Sequence, residues 1–156
     1  MIIQTKIPSP IDDIIIQASD LGVSYVGFYP PKEYSFTPLS NITNKAVLIC
    51  VAQLNEYFNK QRTTFDVPLD TKGTPFQHNV WQALLTVPFG QSQTYGYIAN
   101  ILKNPKAVRA VGAANGKNPI SIIVPCHRII GANAKLTGYA GGLDRKRWLL
   151  EHEGLM

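Results

Sequence analysis

Cysteine, paired metal ligands and long apolar runs are scarce in this sequence. The 156 residues include two cysteines, Cys50 and Cys126, and three scattered histidines, with no C-x-x-C pair. Because a structural zinc needs four ligands that usually occur in close pairs, we expect no metal site, and we also expect no cofactor. No apolar run is long enough to span a bilayer. Residues 1–16 lack the basic-then-apolar order of a signal peptide, so we expect a cytoplasmic protein, or a nuclear one in a eukaryote.

The positive charge of the chain is concentrated in its last third. The net charge is +5, but residues 1–94 carry six basic and seven acidic side chains, whereas residues 95–156 carry nine basic and three acidic ones. A basic region of this kind suggests a polyanionic partner, most simply nucleic acid. A charged surface that only keeps the protein dissolved would give the same count, so charge alone leaves both explanations open.

The N-terminal part of the sequence has the pattern of a hairpin followed by a helix. Residues 11–30 predict a β-hairpin whose turn is marked by Asp20 and Gly22. Apolar residues at helical spacing then predict a helix over residues 43–58. The predicted inward stripe consists of Ala46, Ile49, Cys50, Gln53, Leu54, Tyr57 and Phe58. Within this stripe Cys50 is expected to pack in the core, as free cysteines usually do.

The first helix of the C-terminal part carries a clear start signal. Thr74 and Gln77 form a capping box, and Pro75 occupies the first helical position. We expect this helix to extend to about Val87. Its predicted inner stripe consists of Phe76, Val80, Leu84 and Val87.

Two further helices follow in close succession. Thr94 can cap a short helix, whose predicted inward residues are Ile98, Ile101 and Leu102. Asn104 can cap the next helix, over residues 105–115, which ends at Gly116. Two helices joined by so short a turn form a helix-turn-helix pattern, although any corner between two helices looks similar.

These elements predict an α+β fold. A small N-terminal α/β domain, made of the hairpin and its helix, is followed by a mostly helical C-terminal domain with a helix-turn-helix. The Pro- and Thr-rich stretch "RTTFDVPLDTKGTPF" reads as the linker between them. We therefore place the N-terminal domain at residues 1–68 and the C-terminal domain at residues 69–156.

One face of the helix over residues 105–115 is unusually smooth. Arg109, Gly112, Ala113 and Gly116 are spaced so that they share this face. A glycine inside a helix costs about 1 kcal/mol relative to alanine, so another requirement must favour it. Close packing against a second helix is one explanation. The other is close approach to a nucleic-acid groove, since the minor groove is narrower than a helix with full side chains.

A thiol, an imidazole and a guanidinium interrupt the apolar run "ISIIVPCHRII". An ordinary thiol is mostly protonated at neutral pH, so a nucleophilic Cys126 needs a base such as its neighbour His127. In a flat strand these two side chains would point apart, but Pro125 favours a turn that brings them together directly or through one water. Glu153 shares a helix face with Leu149 and Leu150, and we expect it to orient the imidazole. A buried inert thiol and an exposed terminal glutamate remain the alternatives.

The stretch "NPISIIVPCHRII" resembles the active-site motif of the O6-alkylguanine-DNA alkyltransferases, also called methylated-DNA–protein-cysteine methyltransferases. The resemblance continues through "GTPFQHNVWQALLTVPFGQSQTYGYIA", "NPKAVRAVGAANGKNP" and "LTGYAGGLDRKRWLLEHEG", and it covers about residues 65–154. It implies a repair protein that acts once. The alkyl group moves from O6 of guanine, and also from O4 of thymine, to a cysteine, and the thioether product does not release it. The implied partner is double-stranded DNA that contains O6-alkylguanine, and the protein is expected to be a monomer.

The resemblance also implies roles for individual residues. Cys126 would accept the alkyl group, His127 would act as its base through a water, Glu153 would orient His127, and Asn118 would hold the active-site turn. The implied DNA and base contacts are made by Tyr95, Arg109, Ala110, Gly112, Ala113, Val124, Tyr139, Ala140 and Gly141. Among these, Tyr95 would push the target phosphate, and Arg109 would enter the base stack when the damaged nucleotide swings out.

Two positions depart from the family pattern. Ala140 stands where some members have a serine that bonds the substrate oxygen, so backbone N–H groups must replace that contact or it is absent. Lys103 stands in the helix-turn-helix turn where the family usually has glycine, which alters the turn or adds a phosphate contact. Two other functions stay open at this stage. One is a binding module that flips damaged bases without repairing them, and the other is a cysteine hydrolase that turns over many times.

Overall fold

A computed structural model describes residues 1–30 and 34–156. They form two compact units, Met1–Lys72 and Gly73–Met156. The first unit combines a sheet with a helix and the second is mostly helical, which confirms the α+β class. None of the helices in the described ranges has the length and apolar character that a membrane span requires.

The first unit is built on a three-stranded antiparallel sheet. Strand β1 (Ile3–Ile7) pairs with β2 (Ile14–Ala18), which pairs with β3 (Val23–Gly27). The predicted hairpin is therefore correct as β2 and β3, whereas β1 was not recognised. In its sequence, IQTKI, the polar residues Gln4 and Thr5 are buried. They interrupt the apolar pattern by which a buried strand is recognised. Gln17 of β2 compensates by donating a hydrogen bond to the Gln4 side-chain oxygen at 2.7 Å.

The helix of the first unit is α1 (Lys45–Phe58). Asn44 caps it by accepting a hydrogen bond from the Val47 N–H, so the helix begins two residues later than the sequence predicts. Cys50 is fully buried in the core, as predicted, and burial raises the pKa of its thiol to about 12. The predicted inner position of Ile49 is wrong, because 37% of this residue is exposed. The residues that fill the core beside Cys50 include Val47 and Val51.

The second unit contains helices α2 (Pro75–Leu84), α3 (Tyr95–Ile101), α4 (Val108–Gly116) and α5 (Leu143–His152). Two short parallel strands, β4 (Gln93–Thr94) and β5 (Ile129–Ile130), connect the region before α3 to the segment after Cys126.

The helix starts at α2 and α3 follow the sequence prediction. Both side chains of the Thr74–Gln77 capping box form their hydrogen bonds. Thr94 caps α3 by accepting from the Tyr97 N–H. Helix α2 ends at Leu84 rather than at Val87, although Val87 is buried in the turn that follows.

The start of α4 differs from the prediction. The helix begins at Val108, and its N-cap is Ala107, which makes no side-chain hydrogen bond. The Asn104 carbonyl accepts a hydrogen bond from the Ala107 N–H in the preceding turn. The preceding turn contains Lys103 at φ 58°, a left-handed conformation that a glycine adopts at lower cost. The predicted inward position of Ile101 is also wrong, because this residue is 39% exposed.

Candidate active site

The segment before Cys126 is held in shape by one buried asparagine. The Asn118 side-chain nitrogen donates to the carbonyl oxygens of Val124 at 2.9 Å and Ile120 at 3.2 Å. Its oxygen accepts from the Ile120 N–H at 3.0 Å. Between these anchors Ile122 adopts φ 72°, which is unfavourable for a β-branched residue. The three hydrogen bonds therefore maintain a strained turn directly before the thiol.

Cys126 opens a short turn of 3₁₀ helix, Cys126–Arg128, that follows Pro125. The sequence prediction of a turn at this proline is confirmed. The thiol is buried, and its burial raises the pKa of Cys126 to about 11, although the Asn118 side chain and the charge of Lys146 act to lower it. The resting protein therefore holds a neutral thiol at physiological pH, which needs a proton acceptor before it can attack.

His127 lies next to the thiol in sequence and is fully buried. Its Nε2 is 2.8 Å from Oε2 of Glu153. Burial lowers the pKa of His127 below its ordinary value, while Glu153 opposes this effect. A neutral imidazole that donates from Nε2 has an unprotonated Nδ1, and Nδ1 has no hydrogen-bond partner among the described residues. The arrangement thus offers a buried proton acceptor one residue from the thiol.

Glu153 is held by a second partner, Arg128. The Arg128 Nε and Nη2 donate to the two carboxylate oxygens at 2.8 and 3.1 Å, and its Nη1 donates to the Val87 carbonyl at 2.8 Å. Burial alone would raise the pKa of Glu153, but the hydrogen bonds and charges of His127 and Arg128 hold it well below its usual range. The carboxylate is therefore ionised and fixed, which keeps the imidazole in one orientation.

Lys146 is a buried cation that the sequence analysis did not single out. Its ammonium group donates to the carbonyl oxygens of Ile129 at 2.5 Å and Thr137 at 3.1 Å. Burial lowers the pKa of Lys146 to about 8, while the nearby Cys126 acts to raise it. Lys146 lies at helical spacing with Leu149, Leu150 and Glu153, so a periodicity analysis of α5 would have placed it on the buried face.

The segment that precedes α5 carries three more of the residues selected from the sequence. Tyr139 and Gly141 are buried, whereas Ala140 is exposed. Burial raises the pKa of Tyr139 well above its ordinary value, and the nearness of Cys126 adds to this effect. Val124 is buried as well. Tyr139 and Cys126 are therefore near enough in the fold to interact electrostatically, although they are 13 positions apart in the sequence.

The smooth face of α4 points outward. Arg109, Ala110, Ala113 and Gly116 are exposed, and the core side is formed by Val111 and Ala114. The ring of Tyr95 lies 3.8 Å from the position that a Cβ on Gly112 would occupy. Tyr95, at the start of α3, is thus adjacent to the smooth face.

The family of the chain follows from its match to two family models. Residues 75–155 match the DNA binding domain of 6-O-methylguanine DNA methyltransferase, and residues 2–71 match the ribonuclease-like domain of 6-O-methylguanine DNA methyltransferase. This chain belongs to the 6-O-methylguanine DNA methyltransferase family. A methylated-DNA–protein-cysteine methyltransferase of Methanosarcina acetivorans is 50% identical over 147 residues, which cover 94% of each chain.

Solved structures of the 6-O-methylguanine DNA methyltransferase family have the same fold. The Mycobacterium tuberculosis O6-methylguanine methyltransferase is 46% identical and superimposes with a TM-score of 0.84 over 98% of this chain and 93% of that one. The M. tuberculosis OGT in complex with DNA is 47% identical, with a TM-score of 0.86 over 96% and 91% of the two chains.

The structure brings together several residues that were selected from the sequence. His127 contacts Glu153, Asn118 holds the turn before Cys126, and Tyr95 lies beside Gly112. A direct hydrogen bond between the Cys126 thiol and the His127 imidazole is not present in the described part of the chain, since Nδ1 has no partner there. No group of three or more His, Cys, Asp or Glu side chains within residues 1–30 and 34–156 is arranged to hold a metal ion.

Proposed function

We propose that this chain repairs DNA by transferring the alkyl group of O6-alkylguanine, and of O4-alkylthymine, to the sulfur of Cys126. The observation that carries the proposal is a buried thiol followed in the sequence by a buried imidazole, whose Nε2 is bound to Glu153 and whose Nδ1 has no partner among the described residues. Family membership supports the same reaction, because the relatives carry the name methylated-DNA–protein-cysteine methyltransferase.

The chemistry assigns one task to each group. His127 takes the thiol proton at Nδ1, directly or through a water, and the sulfur attacks the alkyl carbon. A sulfur–carbon bond forms and the carbon–O6 bond breaks, with its electron pair moving onto the base. The base regains one proton, so the net proton transfer runs from the thiol to guanine. The thioether has no leaving group that water can displace, so each molecule acts once.

The DNA-binding part of the proposal rests on α3, the turn and α4. The smooth face of α4 enters the minor groove, Arg109 fills the space left in the base stack, and Tyr95 contacts the phosphate of the extruded nucleotide. Extrusion is required because O6 inside a stacked duplex is out of reach of a buried thiol. Val124, Tyr139, Ala140 and Gly141 line the base pocket, and Ala110, Gly112 and Ala113 contact the groove.

All of these groups fall within the C-terminal domain that we place at residues 69–156. We assign DNA binding and alkyl transfer to this domain, acting as a monomer in the cytoplasm, or in the nucleus if the source is a eukaryote. Light scattering would measure the molar mass of the protein with and without DNA, and we expect the mass of one chain in the absence of DNA.

Intact-protein mass spectrometry tests the transfer. After incubation with duplex DNA that contains O6-methylguanine, the protein should gain the mass of one methyl group, localised to Cys126 by peptide mapping. Cys126→Ser, checked for folding by circular dichroism, should gain none. Binding without any mass gain would indicate a non-repairing binding module, and product beyond one equivalent per protein would indicate a hydrolase.

A comparison of two substrates tests Arg109. Because Arg109 is exposed on α4 and acts only on the duplex, Arg109→Ala should slow repair of double-stranded DNA by about tenfold or more, the effect of roughly 1.4 kcal/mol. Its reaction with free O6-benzylguanine should remain close to that of the unmodified protein. An equal loss with both substrates would contradict this role.

A further inference from the structure

A hydrogen bond joins two hydroxyl groups that lie 42 residues apart in the sequence. The Tyr95 hydroxyl, at the start of α3, is 2.5 Å from the Thr137 hydroxyl. Thr137 belongs to the segment between β5 and α5, which also contains Tyr139 and Gly141. The bond therefore ties a residue of the helix-turn-helix to the segment that is proposed to line the base pocket.

Two groups of Thr137, besides its hydroxyl, lie close to other residues. Its carbonyl oxygen accepts from the buried Lys146 ammonium at 3.1 Å. Its methyl group lies 3.0 Å from the position that a Cβ on Gly131 would occupy, so Gly131 leaves just enough room for it. With its backbone and methyl group fixed, Thr137 can hold its hydroxyl in one place and provide a rigid support for Tyr95.

The polarity of this hydrogen bond can change when DNA binds. A phenol and an alcohol each have one O–H to donate and an oxygen that accepts. Tyr95 can therefore donate its proton to an acceptor on DNA while the Thr137 O–H donates to the Tyr95 oxygen. A donor behind the phenol strengthens the hydrogen bond that the phenol itself donates. The pair can thus remain intact while Tyr95 engages the nucleic acid.

We propose that Thr137 is a positioning residue for DNA repair, which orients the Tyr95 hydroxyl and polarises it toward the bound DNA. This inference rests on the proposed function of the site. Because Tyr95 also packs beside Gly112 of α4, Thr137 links the groove-binding helix to the pocket segment. Thr137 acts through Tyr95, not on the alkyl group itself.

The test removes the Thr137 hydroxyl while keeping the shape of the side chain. Thr137→Val should lower the single-turnover rate of repair of O6-methylguanine in duplex DNA by about three- to tenfold, the effect of one net hydrogen bond. Thr137→Ser keeps the hydroxyl and should restore most of the rate. Thr137→Ala offers a second hydroxyl-free variant, and thermal unfolding of each variant confirms that it is folded.

A double-mutant cycle separates positioning from a general structural effect. Once Tyr95→Phe has removed the phenol oxygen, Thr137→Val should cause no further loss of rate. An unchanged rate in Thr137→Val, or the same loss with and without the Tyr95 hydroxyl, would overturn the inference. If the unmodified protein gains no methyl group at all, the proposed function is wrong, and that outcome is distinct from normal repair by the Thr137→Val protein.

Discussion

Three charged or titratable side chains are buried together at the candidate active site, and each holds another in place. Glu153 accepts from His127 and from Arg128, while Arg128 also donates to the Val87 carbonyl. Buried charges of this kind are costly unless every donor and acceptor is satisfied. The exception among them is Nδ1 of His127, the atom that the proposed reaction uses.

Replacement of Arg128 tests this arrangement. Arg128→Met removes the guanidinium that neutralises the buried Glu153 carboxylate, so the free energy of unfolding should fall by about 3–5 kcal/mol. Urea denaturation would measure it. The control is Arg62→Met, which removes a partly exposed ion pair with Glu56 at 3.1 Å and should cost about 1 kcal/mol or less. If the free energy of unfolding falls by similar amounts in the two variants, the buried pair of Arg128 and Glu153 stabilises the fold no more than an exposed one.

A substitution in the turn before α4 should increase the free energy of unfolding. Lys103 has φ 58°, so Lys103→Gly relieves a left-handed conformation and should raise the free energy of unfolding by about 1 kcal/mol. Lys106→Gly is the control, since Lys106 does not have a positive φ and glycine there only makes the unfolded chain more flexible. Thermal unfolding at equal salt would compare them, and a gain in both variants would contradict the conformational explanation.

At the scale of elements, the site depends on one strained segment and one smooth helix. The turn that contains Ile122 at φ 72° is maintained by the three hydrogen bonds of Asn118. Helix α4 keeps Gly112 in its interior although glycine weakens a helix. Both features carry a cost in stability, and both occur next to groups that the proposed function uses.

Replacement of Gly112 would measure how much this glycine destabilises α4. A Cβ at this position would meet the Tyr95 ring at 3.8 Å, an ordinary contact, so the alanine side chain fits. Gly112→Ala should raise the free energy of unfolding by about 0.5–1 kcal/mol. It should also weaken binding to duplex DNA, because the added methyl group increases the distance between helix and groove. A more stable variant with unchanged DNA affinity, measured by fluorescence anisotropy, would remove the groove-based reason for the glycine.

For the whole molecule, the buried charges connect stability to pH. A histidine and a glutamate whose pKa values are lowered by folding take up protons more readily in the unfolded chain. His127 and Glu153 both belong to this class. Both residues therefore contribute stability near neutral pH that is lost as the pH is lowered.

The free energy of unfolding should accordingly fall as the pH is lowered. The loss from His127 begins below its ordinary pKa of 6.5, and the loss from Glu153 begins below its ordinary pKa of 4.5. Urea denaturation between pH 7.5 and 4 would record the decline. NMR of the His127 ring, assigned with His127→Gln, should show titration below pH 6.5. Titration above that value would mean that the charge of Glu153 outweighs burial, and that folding raises the pKa of His127 instead of lowering it.

Features that depend on neighbours within one helical turn, or within one contiguous motif, could be predicted from the order of the amino acids. The Thr74 capping box and the Thr94 cap join residues three positions apart, so they can be read directly from the sequence. The hairpin turn and the turn at Pro125 are equally local. The Pro-Cys-His-Arg motif identified the family for the same reason, since it is contiguous.

Several contacts between groups that are distant in the sequence could not be predicted and are visible only in the folded chain. The contacts of Arg128 with Glu153, and of Tyr95 with Thr137, join residues 25 and 42 positions apart. Strand β1 was missed because its buried Gln4 is satisfied by a side chain of the next strand. Such pairs have no local signature, because their energy arises only after the chain has folded and water has been excluded from both partners.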